Sequence, residues 1–314
     1  MQLHSWNWFS ARRVIGIVVI VTASSSSAPA EKRVLPEAPA FRADSTLVLV
    51  PVTVVDHRGA VVYGLTSDAF TLTENGVRQQ IRSFSQQDVP VSLGIVLDLS
   101  GSMRRVLAAA KESLRALLKD ANPTDEAFLN AVSTRPRAFL GFTHDFDEIL
   151  DRIAFENAGG NTALVDTIYA SLQQLRTGVH ARKALLVISD GMDNHSRYSI
   201  EELLRFAVEA DAQIYALAVR AESQTAKPIE LMEETKGTLL LEELAAKTGG
   251  MSFTVRRQND MADAAATIGQ ALRNQYAIGY VPPANGRDGR WRKIGVKVSG
   301  SGLRAYTRTG YRFE

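Results

Sequence analysis

Asp98, Ser100 and Ser102 stand at alternate positions directly behind an apolar run, Val91 to Leu97, that reads as a buried strand. A carboxylate and two hydroxyls in that spacing suit a hard divalent cation, because such ions take oxygen ligands. Two further polar groups occupy comparable places. Thr162 follows Gly159-Gly160-Asn161 just ahead of a helical pattern, and Asp190 follows the apolar run Ala184 to Ile188 and Ser189. Ligand sites in α/β proteins gather at the carboxyl ends of parallel strands, so these groups read as parts of one site. Two carboxylates cannot close the shell of Mg²⁺, or of Mn²⁺ or Ca²⁺. A position stays open for an outside oxygen, most naturally an Asp or Glu of a partner protein. Gly101 and Gly191 are expected to let the backbone turn tightly beside the ion. Taken singly, Asp98, Ser100, Ser102 and Thr162 also read as helix N-caps; together with Asp190 they point to a metal.

Other chemistries fit less well. Asp190 opens a window ending at Glu201 that has the length of an EF-hand loop, but Met192 and His195 fill positions that need an oxygen ligand and a glycine. No phosphate-binding G-x-x-x-x-G-K-[ST], zinc-binding H-E-x-x-H or nucleophilic G-x-S-x-G occurs. Asp98 lacks the second aspartate of a phosphoaspartyl loop, since Ser100 stands there. His57, His144, His180 and His195 lie in polar stretches and read as surface residues. His195 follows Asp193-Asn194 close to the third cluster, which leaves a metal-dependent hydrolase as the enzymatic alternative. No positioned base is evident, so the chain is expected not to be an enzyme. A structural or assembly module with a stabilising metal is the other alternative.

The elements that must hold these groups alternate between strand and helix from Val91 to Gln275. Helices are expected over Arg104–Asp120, Asp147–Phe155, Ala163–Leu175, Ile200–Ala210, Leu239–Thr248 and Asp260–Arg273. Strands are expected over Val91–Leu97, Ala127–Ser133, Arg137–Phe142, Ala184–Ser189, Ile214–Val219 and Ser252–Val255. This is the pattern of an α/β, doubly wound, mostly parallel sheet with helices on both faces. The flanks differ. Thr46–Val55, Val61–Tyr63, Phe70–Thr73 and Gln80–Phe84 read as short strands, with Pro51 marking an edge or bend. Tyr276–Val281, Trp291–Val298, Leu303–Thr307 and Tyr311–Phe313 read likewise. Neither flank closes a core alone, so residues 46–90 and 276–314 are expected to build one small β-sandwich-like domain, into which residues 91–275 are inserted.

The N-terminus has the form of an export signal. Arg12 and Arg13 precede an apolar run from Val14 to Ala23, and small residues end in Ala28-Pro29-Ala30. Residues 1–30 are read as a signal peptide and 31–45 as a flexible linker. The protein is therefore expected outside the cytoplasm, in a periplasm, at a cell surface or secreted, with no transmembrane segment in the mature chain. Without the two Arg of the signal, 34 basic residues face 34 acidic ones, which offers no electrostatic case for nucleic-acid binding. The chain has no cysteine, excluding disulfides, thiolate metal sites and a thiol nucleophile.

Residues 91–275 resemble a von Willebrand factor A (VWA) domain. Asp98, Ser100 and Ser102 match the D-x-S-x-S of its metal-ion-dependent adhesion site, Thr162 its second-loop threonine and Asp190 its third-loop aspartate. The resemblance implies that Ser100, Ser102 and Thr162 ligate the ion directly, while Asp98 and Asp190 act through water. It also implies an adhesion or assembly role, with partner contacts from the surrounding loops. The candidates there are Met103, Arg104, Asn161, Met192 and Asn194. A shift of the helix Asp260–Arg273 on ligand binding is a further expectation. The whole chain is similar to an exported bacterial family related to these domains, through Leu47-Val48-Leu49-Val50-Pro51-Val52, Asp288-Gly289-Arg290-Trp291-Arg292-Lys293-Ile294 and Gly310-Tyr311.

Overall fold

The apolar run behind Asp98 forms β5 (Val91–Asp98), which is buried along its whole length. The structure is a computed structural model and describes residues 47–86, 88–119, 121–220, 228–283 and 289–312. The expected signal and linker, Asp288 and Phe313 lie outside the described residues.

In chain order the first elements are β1 (Val48–Val55), β2 (Phe70–Glu74), β3 (Val77–Gln79) and β4 (Ile81–Gln86). After β5 come α1 (Leu107–Lys119), β6 (Glu126–Val132), β7 (Arg137–Thr143), α2 (Phe146–Ala154), α3 (Leu164–Leu175) and β8 (Arg182–Ser189). They are followed by α4 (Ile200–Glu209), β9 (Gln213–Val219), α5 (Pro228–Thr248), β10 (Ser252–Val255) and α6 (Gln258–Arg273). The last strands are β11 (Tyr276–Tyr280), β12 (Trp291–Val298), β13 (Arg304–Tyr306) and β14 (Gly310–Arg312).

The central sheet has the order β10-β9-β8-β5-β6-β7, parallel except for the edge strand β7. Parallel strands are buried on both faces and therefore read as continuous apolar runs. Along β5, Leu93, Ile95 and Leu97 join the core under α1, α2 and α6, while Val96 joins the core under α3, α4 and α5. Gly94 makes room on that second face: a Cβ there would stand 2.6 Å from both Leu185 and Phe128. The helices begin where polar side chains satisfy free amides. Asp145 Oδ1 accepts from the Asp147 and Glu148 amides at the start of α2. Ser199 and Glu202 form a reciprocal capping box on α4.

The flanking strands form two four-stranded antiparallel sheets, β13-β1-β11-β4 and β14-β12-β2-β3. Each mixes strands from before and after the α/β insert, and both contribute to one core around Val50, Val52, Phe70, Leu72, Tyr276 and Ile278. The two flanks thus make a β-sandwich into which the doubly wound domain is inserted. Pro51 sits in an inner strand, but β13 pairs only with Thr53–Val55, so among the described residues no strand pairs with Pro51 on that flank.

Several expected boundaries change. Val61–Tyr63 is not a strand; only Val61 makes a bridge, to Val55. The Asn75-Gly76 turn, with both φ positive, joins β2 to β3, and the chain then crosses at Gln80 to β4 in the other sheet. A 3₁₀ turn over Gly101–Arg105 precedes α1. The largest difference is α5, which starts at Pro228 rather than Leu239. Gly237 and the exposed Ile229, Leu231 and Met232 blur the helical period in its first half.

The sandwich is locked by a buried polar cluster. Glu74 of β2 accepts from Arg292 Nη1 of β12 at 2.9 Å, from Tyr311 Oη of β14 at 3.2 Å and from Tyr280 Oη of β11. Tyr280 belongs to one sheet and the other three to the second. Removing one partner of a buried ion pair leaves the other charge uncompensated and costs ~3–5 kcal/mol. Glu74→Ala is therefore expected to destabilise the protein by about that amount in urea unfolding. A loss under ~1 kcal/mol would show that Arg292 re-solvates without the carboxylate.

Candidate metal centre

β5 and β8 are parallel neighbours with Leu97 opposite Ile188, so Asp98 and Ser189 leave the sheet side by side. Ser189 Oγ donates to Asp98 Oδ2 at 2.6 Å, and Asp98 Oδ1 accepts the Ser100 N–H at 2.8 Å. Ser100 Oγ lies 3.0 Å from Ser102 Oγ, and the Ser102 hydroxyl is near enough to Asp190 to favour its charged form. Asp190 Oδ1 also accepts the Met192 N–H at 3.0 Å. These side chains form one continuous string of oxygens across two loops.

The second loop is stapled to both. Gly159 N–H donates to Leu99 O at 2.7 Å and Gly101 N–H to Gly160 O at 3.3 Å. Thr162 is buried. Its carbonyl accepts the Asn194 and His195 amides, each at 3.0 Å, and its own N–H donates to Asn194 Oδ1 at 3.0 Å. The helix-capping alternatives do not hold for Ser100 and Thr162. Ser100 makes no side-chain cap, and α3 is entered through Ala163, with Asp193 Oδ1 holding the Leu164 amide.

Asp98 is fully buried. Burial first, and then the charge of Asp190, push its carboxyl up to about 7. Burial likewise pushes Asp190 above the ordinary carboxylate range, against hydrogen bonds from Ser102 and Met192. Among the described residues the groups that hydrogen-bond the pair are hydroxyls and amides. Two buried carboxylates without a counter-charge are costly. The side-chain donors around them are oxygens, a set whose chemistry fits a hard divalent cation. Among the described residues no three His, Asp or Glu side chains converge as a ready-made chelate, so an ion here would keep open positions.

The third loop rests on α5. Gly191 has φ +80°, and a Cβ on Gly237 would stand 1.8 Å from Gly191 O, so backbone meets backbone. Gly101, by contrast, has no positive φ, and a Cβ there would meet Gly160 O at an ordinary 3.7 Å, so nothing there demands glycine. The expected partner residues separate. Arg104 and Asn161 are exposed and Met192 half-buried. Met103 is a correction: it is completely buried in the core beneath α1 and cannot present its side chain. The Asn194 side chain is engaged in holding the Thr162 loop. His195 contributes its backbone amide to that loop. Asn130 is tied to α3 through Ser171 and Gln174, away from the site.

Sequence reasoning missed Ser189, although it is the single polar residue at the end of an apolar strand. It also missed Glu234 of α5. That carboxyl is raised by burial, held by Arg220 at 3.7 Å and repelled by Asp190, which places a third acidic group within electrostatic reach of the site.

Residues 93–192 match the family model of the von Willebrand factor type A domain. The inserted domain has the VWA fold. An uncharacterized protein of Borreliella burgdorferi is 24% identical over 180 residues, covering 51% of this chain and 52% of its own. The chain thus spans about half the length of the curated relative it matches. Among solved structures, a von Willebrand factor type A protein from Catenulispora acidiphila is 13% identical, with a TM-score of 0.47, over 79% of this chain and 74% of that one. The conserved hypothetical protein BatB from Bacteroides thetaiotaomicron is 16% identical, with a TM-score of 0.45, over 58% and 98%.

Two outcomes follow from the packing and charge of the VWA domain. The folded-state pKa of Asp98, about 7, lies above its unfolded value of ~3.9. The folded state therefore holds the proton more tightly. The stability so contributed is present below the unfolded value and lost as pH rises through about 7, on the order of a few kcal/mol. Metal-free protein is expected to unfold at lower urea at about pH 7.5 than at about pH 5, and Asp98→Asn to flatten that slope. An unchanged slope in the variant would assign it to other groups. Gly237→Ala is expected to cost ~1–3 kcal/mol by forcing α5 off the Gly191 loop, read in the same titration.

Proposed function

We propose that the VWA domain is a divalent-cation-dependent protein-binding module of adhesion or assembly type. Mg²⁺, or Mn²⁺ or Ca²⁺, would be held by Asp98, Ser100, Ser102, Thr162 and Asp190. The observation that carries this reading is the pair of buried, charge-frustrated carboxylates joined by serine hydroxyls at adjacent strand ends. The ion supplies Lewis acidity toward an oxygen donor. The chain's residues do the rest: Ser189 and the Ser100 amide orient Asp98, Met192 N–H and Ser102 orient Asp190, and Asn194 holds the Thr162 loop. The open position takes an Asp or Glu of a partner, and exposed Arg104 and Asn161 on the same rim contribute to its recognition.

Binding, rather than catalysis, fits what touches the carboxylates, namely hydroxyls and amides with no side-chain base. Among the described residues no helix is long and apolar enough to cross a membrane. The leader-like sequence of residues 1–30 supports an exported protein, periplasmic, surface-bound or secreted.

Calorimetry with MgCl₂ on EDTA-stripped protein tests the site. Wild type is expected to bind with a single stoichiometric step. Asp98→Ala should bind at least ~10-fold more weakly, the change expected on losing a charge-assisted contact. A Mg²⁺-dependent pulldown with the same pair tests the function, and an identical partner set from both proteins would refute it. EDTA that lowers the melting temperature but leaves partner capture intact would instead favour the structural-metal reading.

A further inference from the structure

At the opposite end of β8 from Asp190 lies a cleft of about 620 Å³ between the sandwich and the VWA domain. The strand spans roughly 25 Å, so the cleft is separate from the candidate metal centre. Its floor follows from strand alternation. Val48, Val50, Tyr276 and Ile278 point into the sandwich core, leaving Leu49, Pro51 and Ala277 on the outer face. Pro51, Ala277 and Ser85 are direct cross-strand neighbours on β1, β11 and β4. This row of small side chains leaves a recess that the base of the VWA domain roofs without filling.

The polar end of the cleft is incompletely satisfied. Gln275, only 5% exposed, donates through Nε2 to Gln213 Oε1 at 2.7 Å and to Tyr215 Oη at 2.8 Å. The Gln213 amide is itself oriented, because its Nε2 donates to Gly249 O at 3.0 Å. Gln275 must therefore present its nitrogen to Gln213, which leaves its Oε1 as a buried acceptor without a partner among the described residues. Arg182 Nη2 and Arg308 Nε, on two other residues lining the cleft, are buried donors without partners among the described residues. Native proteins satisfy such atoms with water or a ligand. The lining is also basic. Lys183 and Lys247 join the two arginines, and the single acidic lining residue, Asp211, is already paired with Arg308.

We propose that this cleft binds a small organic carboxylate that carries its own N–H or O–H donor and an apolar body, the chemistry of an N-acyl amino acid. The carboxylate faces Arg182 and Arg308, the donor faces Gln275 Oε1, and the apolar body lies on Leu49 and the Pro51–Ala277 row. The cleft has the size of a small-molecule site and sits at a domain junction, where such sites concentrate. The site is independent of the metal.

The probe is an N-acetylated dipeptide of two leucines, as free acid and as C-terminal amide, titrated calorimetrically into the full chain in EDTA. Saturable binding of the acid is expected, about tenfold or more weaker for the amide, which lacks the charge-assisted contact. Ser85→Trp should abolish binding by filling the recess, and the surface charge reversal Lys183→Glu should weaken it about tenfold or more. If Ser85→Trp fails to fold by circular dichroism, Lys183→Glu and the amide decide. No saturable binding to wild type, or equal binding by the acid, the amide and Lys183→Glu, would overturn the proposal and leave the orphaned atoms to water.

Discussion

Two adjacent parallel strands, one ending in a carboxylate and the other followed directly by one, impose the constraint around which the VWA domain is organised. Strands in a sheet lie ~4.8 Å apart, so pairing Leu97 with Ile188 forces Asp98 and Asp190 into one neighbourhood whatever else the chain does. The core of β5 buries Asp98 completely, and burial together with the second charge makes ionisation unfavourable. The surrounding loops respond to that cost. Ser189 and backbone amides donate to the carboxylates, serine hydroxyls bridge them, and the Gly159–Thr162 loop is stapled over the crevice from both sides. β5 leads to α1 on one face of the sheet and β8 leads to α4 on the other, so the crevice opens where the connections diverge.

The helix α5 links this end of the domain to the other. Midway along it Gly237 touches Gly191 backbone to backbone. Just past its end Gly249, at φ +83°, packs on the Thr307–Arg308 backbone, where a Cβ would come within 2.3 Å. Thr309 N–H donates to Lys247 O at 3.1 Å beside it. Both contacts need the absence of a side chain, which ties the third loop and the sandwich to one rigid element. The helix after the last parallel strand, α6, packs on α1 and leads straight into β11, so the sandwich is held by two helices of the insert.

The closing segments of the chain acquire a structural meaning. Arg292 and Tyr311 converge on Glu74, and Gly310 lies under the Trp291 ring, where a Cβ would come within 2.4 Å. These residues join strands from the two ends of the sequence around one buried carboxylate. A small sandwich split by a long insertion has little apolar area per residue, and a polar cluster specifies its register where apolar packing alone is permissive.

Local chemistry made much of this legible from the sequence. The continuous apolar runs of β5 and β8 announced a parallel sheet, short strand-like runs on the flanks announced a second β unit, and the residue types of Asp98, Ser100, Ser102, Thr162 and Asp190 marked a cluster of oxygen donors at strand ends. Periodicity and residue type are properties of short windows, so they survive without coordinates. Other features depended on which strands became neighbours. Ser189 became an anchor because of the β5–β8 register, and Met103 faced inward because a 3₁₀ turn preceded α1. The first half of α5 formed against Gly191 despite its blurred period, and the Gln275 acceptor was stranded by a network with Gln213 and Gly249, residues distant from it along the chain. Sequence alone determined which groups can do chemistry. Tertiary structure decided which of them meet, because burial and hydrogen-bond partners are set by residues distant along the chain.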